Sequence, residues 1–315
     1  MLLKILAEVN KIKDENDKST ARIQTSWRSS SLGSCLRGQF ANRLFSGEFQ
    51  VIHDQRTKEV FELGNMIEEK YIQDFLMHPD WLVIQQGEMI DPIRKNSGHF
   101  DVMLINKKTY EVIVGETKSK NSRAFTYMDK KGEGAMHHHE LQTYSYLDMI
   151  NQYGFHLPEH LDKAFMDINE LAKLNETDRE IIEFLTDEYI MKNIVDLKQG
   201  KLSVEKPQTT IIKFKQPIKY GYILYISKDD QRKLEYPVLY PDTNLREEYY
   251  LERAILNDAW DNRKALPPNQ AGTWQSKYCN YCNAGICEQL DTDEKVVALF
   301  EEIAKNVQDD INNLI

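Results

Sequence analysis

Apolar residues recur along this chain in two rhythms, one of about 3.6 positions and one of two, and their succession predicts helices and strands in one α/β protein. The opening run MLLKILAEVNKIKDEN carries Lys4 and Glu8 inside an apolar stretch and reads as an amphipathic helix rather than a leader. In residues 25–45, serines suited to a turn or N-cap precede Leu36, Phe40 and Leu44 at helical spacing. Residues 59–78 repeat the pattern with Ile67, Tyr71 and Phe75, closed by Pro79. Residues 81–90 predict a strand broken by Asp91-Pro92, and 99–105 and 110–117 predict a β-hairpin about the polar turn 106–109. Residues 121–134 read as a mobile polar loop with Arg123, Lys130 and Lys131, followed by a helix over 135–153. Residues 157–199 read as a charged helical insertion. Three further strands of the sheet (209–214, 220–227, 234–240) and a helix over 244–266 complete the pattern.

The hairpin holds the chemistry. Side chains alternate faces along a strand, so Glu116 and Lys118 share a side with Val112 and Val114, while Asp101 falls among Phe100, Val102 and Leu104. Charged residues are seldom buried unless paired or bound to a metal. Two carboxylates suit magnesium or manganese, and Lys118 could orient or help deprotonate an attacking water. The plain alternative is an edge hairpin with ordinary surface pairs. On the helix before it, Glu68 borders the apolar stripe and could reach toward the hairpin or stay solvated. Gln142 and Tyr146 lie one turn apart on the 135–153 helix, on a face that can include His139. His137, His138 and His139 point about 100° apart on a helix, so they read as a surface run, with His139 the one that could touch substrate.

Lys and Arg total 40 against 50 Asp and Glu, for a net charge of −10. This disfavours a protein that coats duplex DNA, which must neutralise many phosphates, but allows a local basic channel. No run approaches the roughly 18 apolar residues of a membrane span. A cytoplasmic protein without a membrane partner is expected. Cysteine is confined to Cys35 and the cluster Cys279, Cys282 and Cys287 in KYCNYCNAGIC. A C-x-x-C turn lets two thiolates reach one centre, and Cys35 is the thiol left to complete four. Disulfides are the alternative, though an intracellular chain would keep them reduced. Spacing does not separate zinc from an iron-sulfur cluster.

Taken in order, Cys35, Gly64-x-x-x-Glu68, Asp101, Glu116-x-Lys118, Gln142-x-x-x-Tyr146 and the cysteine triplet resemble the PD-(D/E)XK nuclease superfamily. Within it, the chain is most similar to the RecB-like, CRISPR-associated (Cas4-type) iron-sulfur exonucleases, and more distantly to the AddB nuclease domain. The resemblance implies a restriction-endonuclease-like α/β core, a central mixed sheet flanked by helices, over residues 25–315. A helical extension at 1–24, the insertion at 157–199 and an iron-sulfur bracket at 276–290 would accompany it. It further implies metal-dependent hydrolysis of DNA, on single-stranded or frayed ends. Glu68, Asp101, Glu116 and the carbonyl of Thr117 would hold Mg2+ or Mn2+, Lys118 would place the water, and Gln142 and Tyr146 would support the site. Cys35, Cys279, Cys282 and Cys287 would hold a four-iron four-sulfur cluster, with Zn2+ the alternative. Many relatives have His where Glu68 stands, and the last cysteine gap, 283–286, is shorter than usual in the family. A structure-specific endonuclease or flap trimmer, or a non-catalytic DNA-end-binding subunit, are the competing expectations.

Overall fold

The computed structural model describes residues 24–46, 55–132, 134–157, 186–191, 210–267 and 279–314. The expected N-terminal helix and most of the 157–199 insertion lie outside them. The chain divides into two compact units. One takes the described residues up to Trp27, from Ser31 to Glu59 and from Tyr250 on; the other takes Arg28–Ser30 and Val60–Tyr249.

The strands are β1 (Trp27–Arg28), β2 (Trp81–Gln85), β3 (Glu88–Asp91), β4 (Asn96–His99), β5 (Val102–Asn106) and β6 (Val112–Lys120), followed by β7 (Phe155–His156), β8 (Thr186–Met191), β9 (Thr210–Phe214), β10 (Tyr220–Ser227) and β11 (Lys233–Leu239). The helices are α1 (Leu36–Leu44), α2 (Gln55–Leu76), α3 (Ser122–Lys131), α4 (His137–Tyr153), α5 (Thr243–Asn262), α6 (Asn280–Asn283) and α7 (Asp293–Leu314). A five-stranded sheet runs β11-β10-β6-β5-β2. It is mixed: β6 and β10 are parallel, and the other neighbours antiparallel. A second, six-stranded sheet runs β1-β4-β3-β7-β9-β8.

Alternation along β10 explains the layering. Leu224 and Ile226 pack with Ile67, Tyr71 and Phe75 of α2 on one face. Ile223 and Tyr225 face the larger core, with Tyr144, Leu147 and Ile150 of α4. Helix α4 contacts β6 and β10 of one sheet and β3 and β9 of the other. Its residues from Leu141 to Ile150 are accordingly all buried, polar Gln142, Thr143, Ser145 and Asp148 included. Gly154 ends α4 at φ 80°, where a Cβ would stand 2.4 Å from the carbonyl oxygen of Ile212. No other residue fits that close strand contact without moving the backbone.

The α/β architecture, with a mixed sheet flanked by helices, is as the sequence predicts, while several elements are redrawn. The strand expected over 81–90 is two, β2 and β3, and the one expected over 99–105 is β4 followed by β5. At both breaks the chain leaves one sheet for the other, and the two crossings lie side by side. Gln86 N–H donates to the Asp101 carbonyl at 3.3 Å, and Phe100 N–H to the Gly87 carbonyl at 3.3 Å. Asp101 therefore sits in a bend before β5, not mid-strand. Residues 210–214 form a strand of the second sheet, not the first.

The region 121–134 is largely helix α3 and not a loop. Asn121 accepts the Ala124 N–H, Gly132 closes the helix at φ 59°, and Lys130 and Lys131 lie in the last turn. Its polarity masked it, since only Phe125 and Met128 are buried. Within the insertion, 186–191 is a strand, β8, paired with β9 rather than helical. Among the described residues no helix is long and apolar enough to cross a membrane.

In the other unit, Trp27, Phe40, Leu256, Tyr281, Cys287, Leu290 and Leu299 build a separate core. The Arg43 guanidinium lies 4.4 Å from the Trp27 ring and 4.2 Å from the Trp260 ring. Burial pulls its pKa down, so contact with the two ring faces offsets part of the lost hydration.

Candidate active site and thiol cluster

Strand β6 outruns its antiparallel partner. The β5 register ends at Val102 opposite Gly115, whereas β10 follows β6 from Ile113 to Lys120. The stretch 116–120 thus has one side without a neighbouring strand, and Asp101 occupies that side. Asp101 Oδ2 accepts the N–H of Thr117 at 2.7 Å, in the place a β5 carbonyl would take. The N–H and C=O of an extended residue point the same way. The Thr117 carbonyl therefore faces the side on which Asp101 sits.

Glu116, Lys118 and Lys120 project from the face of β6 that carries buried Val114. Glu116 is 2% exposed. Its Oε1 pairs with Lys118 Nζ and accepts Gln142 Nε2 at 2.8 Å. The same Gln142 nitrogen lies 2.6 Å from the Tyr146 hydroxyl. Glu116 Oε2 is buried with no hydrogen-bond partner. Glu68 enters from α2 and accepts Gln86 Nε2 at 2.7 Å. Gln86 holds both neighbours of the site, since its backbone N–H holds Asp101 and its side chain holds Glu68.

Burial raises all three carboxyls, and repulsion by neighbouring carboxylates adds to it at Asp101 and Glu68. Asp101 is pushed well above the usual range by burial, then by Glu116 and Glu68. Glu68 is raised by burial and by Glu116. Glu116 is raised by burial, although Lys118 and Gln142 oppose the shift. Burial works against the charge of Lys118, but Glu116, Asp101 and Glu68 outweigh it and lift its pKa above the ordinary value. Lys118 is thus a cation in this arrangement, suited to orient a water rather than to take its proton. Tyr146 is raised well above the phenol range by burial, then by Glu116.

The structure thus gathers Glu68, Asp101, Glu116, Thr117, Lys118, Gln142 and Tyr146 into one site. Two partners escaped the sequence reading. Gln86 adopts φ 52° at the sheet crossing, a conformation with no residue-level signature in a Gln-Gln-Gly turn. Tyr225, on β10 beside Lys118, meets His139 Nδ1 at 2.7 Å. The histidines are not a uniform surface run. His139 is buried, and burial followed by Lys118 lowers its pKa to about 2. His137 is exposed and reaches Glu248 at 2.8 Å, so the three do not converge.

The thiols meet in the other unit. Among the described residues, one trio of His, Cys, Asp or Glu has its ligand atoms all within 4.8 Å of one another, namely Cys279, Cys282 and Cys287. These three could bind a metal ion. The carboxylates of the other site are spaced more widely. Gly285, at φ 73°, turns the chain between α6 and the short 3-10 helix Ile286–Leu290, which carries Cys287 back toward Cys282. Cys35 stands at the N-cap of α1. A Cβ built on Gly38 would lie 4.0 Å from Cys35 Sγ and 4.0 Å from Cys279 Sγ, so Cys35 is near Cys279 but outside the trio whose sulfurs all lie within 4.8 Å of one another. All four cysteines are free thiols. Burial pushes Cys282 and Cys287 above the usual thiol range, and the neighbouring thiols push Cys287 further. Arg37 Nη1 donates to the Cys287 carbonyl at 3.0 Å, anchoring that loop to α1.

No family model and no curated protein sequence matches the chain. A solved structure described as "Crystal structure of SSO0001" is 15% identical, with 92% of this chain and 98% of that chain covered and a TM-score of 0.47. At that score the likeness supports no inference about activity.

Proposed function

We propose that this chain is a metal-dependent deoxyribonuclease that trims single-stranded or frayed DNA ends. The observation that carries the reading is Glu116 Oε2, a buried carboxylate oxygen without a hydrogen-bond partner, on a side chain whose charge raises both Asp101 and Glu68. Such an orphan costs several kcal/mol unless a cation answers it (about 1–3 for a neutral group and more for a charged one). Mg2+ binds through one or two carboxylates and keeps several waters, so two of the three carboxylates suffice for it or for Mn2+. Glu116 and Asp101 would hold the ion, with Glu68 and the Thr117 carbonyl within its surroundings. A bound ion would supply charge stabilisation at the phosphate and a more acidic water.

The chain's own groups do the rest. Lys118, held cationic by Glu116, Asp101 and Glu68, orients the nucleophilic water and offsets the negative charge that would repel DNA. Gln142 fixes Glu116 in one orientation and shares that nitrogen with Tyr146. For the thiols, we infer a four-iron four-sulfur cluster held by Cys35, Cys279, Cys282 and Cys287, supported by four free thiols in one unit. Four free thiols also fit a reducing compartment such as the cytoplasm.

End-labelled single-stranded, duplex and closed circular DNA, each digested with Mg2+ or Mn2+, tests the activity. Loss of label from linear single strands, dependent on the ion, is expected. Cutting of closed circles would replace the exonuclease by an endonuclease, and binding without cleavage under either ion would reject catalysis.

A further inference from the structure

A cavity of about 530 Å³ opens next to the acidic site, where β6 passes into α3. Its walls are Lys120, Arg123, Tyr127, Met128 and Met136, with Asn121 at the turn. Lys120 shares the β6 face of Lys118, two residues further on, a step of about 6.6 Å along the strand. It is half-buried, and its Nζ rests 2.9 Å from Met136 Sδ. Among the described residues neither Lys120 nor Arg123 has a carboxylate partner. Tyr127 is half-exposed, with Lys131 Nζ 4.1 Å from its ring centroid.

A hollow with two cations that lack a carboxylate partner at its rim, and a Tyr, two Met and two Ala along its walls, matches a flat apolar ring attached to an anion. We propose that this cavity receives the base of the unpaired nucleotide adjoining the scissile bond, stacked on Tyr127, while Lys120 and Arg123 take its phosphate. The proposal rests on the nuclease reading for its position relative to the cut. A base stacked within a duplex must first leave the stack to enter, at a cost of a few kcal/mol that an already unpaired strand avoids. The cavity thereby selects single-stranded ends. Stacking on an aromatic ring tolerates any base, so it carries no sequence preference.

The test is fluorescence anisotropy of a labelled oligothymidylate and of an abasic strand of equal length, in EDTA so that nothing is cut. Tyr127→Ala should weaken binding of the thymidylate roughly tenfold and leave the abasic strand unchanged. Tyr127→Phe, which keeps the ring, should bind both strands like the unmodified protein. Lys120→Gln should weaken both and lower the salt dependence by about one charge. Tyr127→Ala binding the thymidylate at full strength, or losing both strands equally, would overturn the proposal. Adding Mg2+ or Mn2+ afterwards separates the two readings. Absent cleavage with the stacking pattern intact rejects the nuclease and supports the pocket.

Discussion

Gln142 Nε2 stands 2.8 Å from Glu116 Oε1, so a helix buried on every side fixes one carboxylate oxygen and leaves the other bare. The bare oxygen is the seat we assign to a cation, and the fixed one is what keeps it aimed. Replacing Gln142 by Leu takes the amide donor from Oε1, which keeps its pair with Lys118, and takes a partner from the Tyr146 hydroxyl. Partners of metal ligands are worth about 10- to 100-fold in metal affinity. Titrating Mg2+ against cleavage rate should show a loss of that size for Gln142→Leu, with maximal rate recovered at high Mg2+.

Gly98, on β4, is fitted to the same helix. A Cβ there would lie 2.7 Å from Tyr146 Cε1 and 2.9 Å from Ser29 Oγ. Gly98→Ala must displace the ring that shares Gln142 with Glu116, at a cost of about 1–3 kcal/mol. Gly64 on α2 is the contrast, since its Cβ would meet Ser119 Oγ at an ordinary 3.4 Å. Gly64→Ala should gain up to about 1 kcal/mol from helix propensity. Thermal melts of the two variants should therefore move in opposite directions.

His139 makes stability depend on pH. Its folded pKa, about 2, lies far below the unfolded value of about 6.5. Below pH 6.5 the unfolded chain binds the proton and the folded one does not, so stability falls as the pH drops through that value. The slope from this group approaches about 1.4 kcal/mol per pH unit. His139→Gln removes the titration, so the gap in melting temperature between pH 7.5 and pH 5.5 should shrink in the variant. An unchanged gap would mean that His139 accepts a proton in the fold.

The thiol cluster should announce its metal. Protein prepared without oxygen is expected to be brown, to bleach on chelation and to melt at a lower temperature once bleached, because a centre bound only by the folded form adds its binding free energy to folding. Cys35→Ser and Cys282→Ser should each lose the colour. A colourless protein with one zinc per chain would keep the four thiols together and replace the iron.

The sequence made strand β6 legible because it concentrates its signal: a β-branched run, with Glu116 and Lys118 following on the side of Val112 and Val114. Cys279, Cys282 and Cys287 were likewise readable as one group from thiol scarcity, whereas Cys35, expected to join them, stands near Cys279 but outside that group. The second sheet was not legible. Strands β2 and β3, and again β4 and β5, are nearly continuous in sequence, and the crossings at Gln86-Gly87 and Phe100-Asp101 form through backbone hydrogen bonds that no residue type announces. Helix α3 did carry its signals, an Asn cap and a closing Gly, yet a mostly solvated helix offers few apolar positions to set its period. His139 was misjudged because neighbouring histidines on one helix meet different surroundings, and only packing against Tyr225 separates them.

Manganese binding bears most directly on the carboxylate site. Calorimetric titration of Mn2+ should find a site in the unmodified protein that both Asp101→Asn and Glu116→Gln lose while still folding cooperatively. Equal Mn2+ binding by all three proteins would show that these carboxylates do not hold the ion.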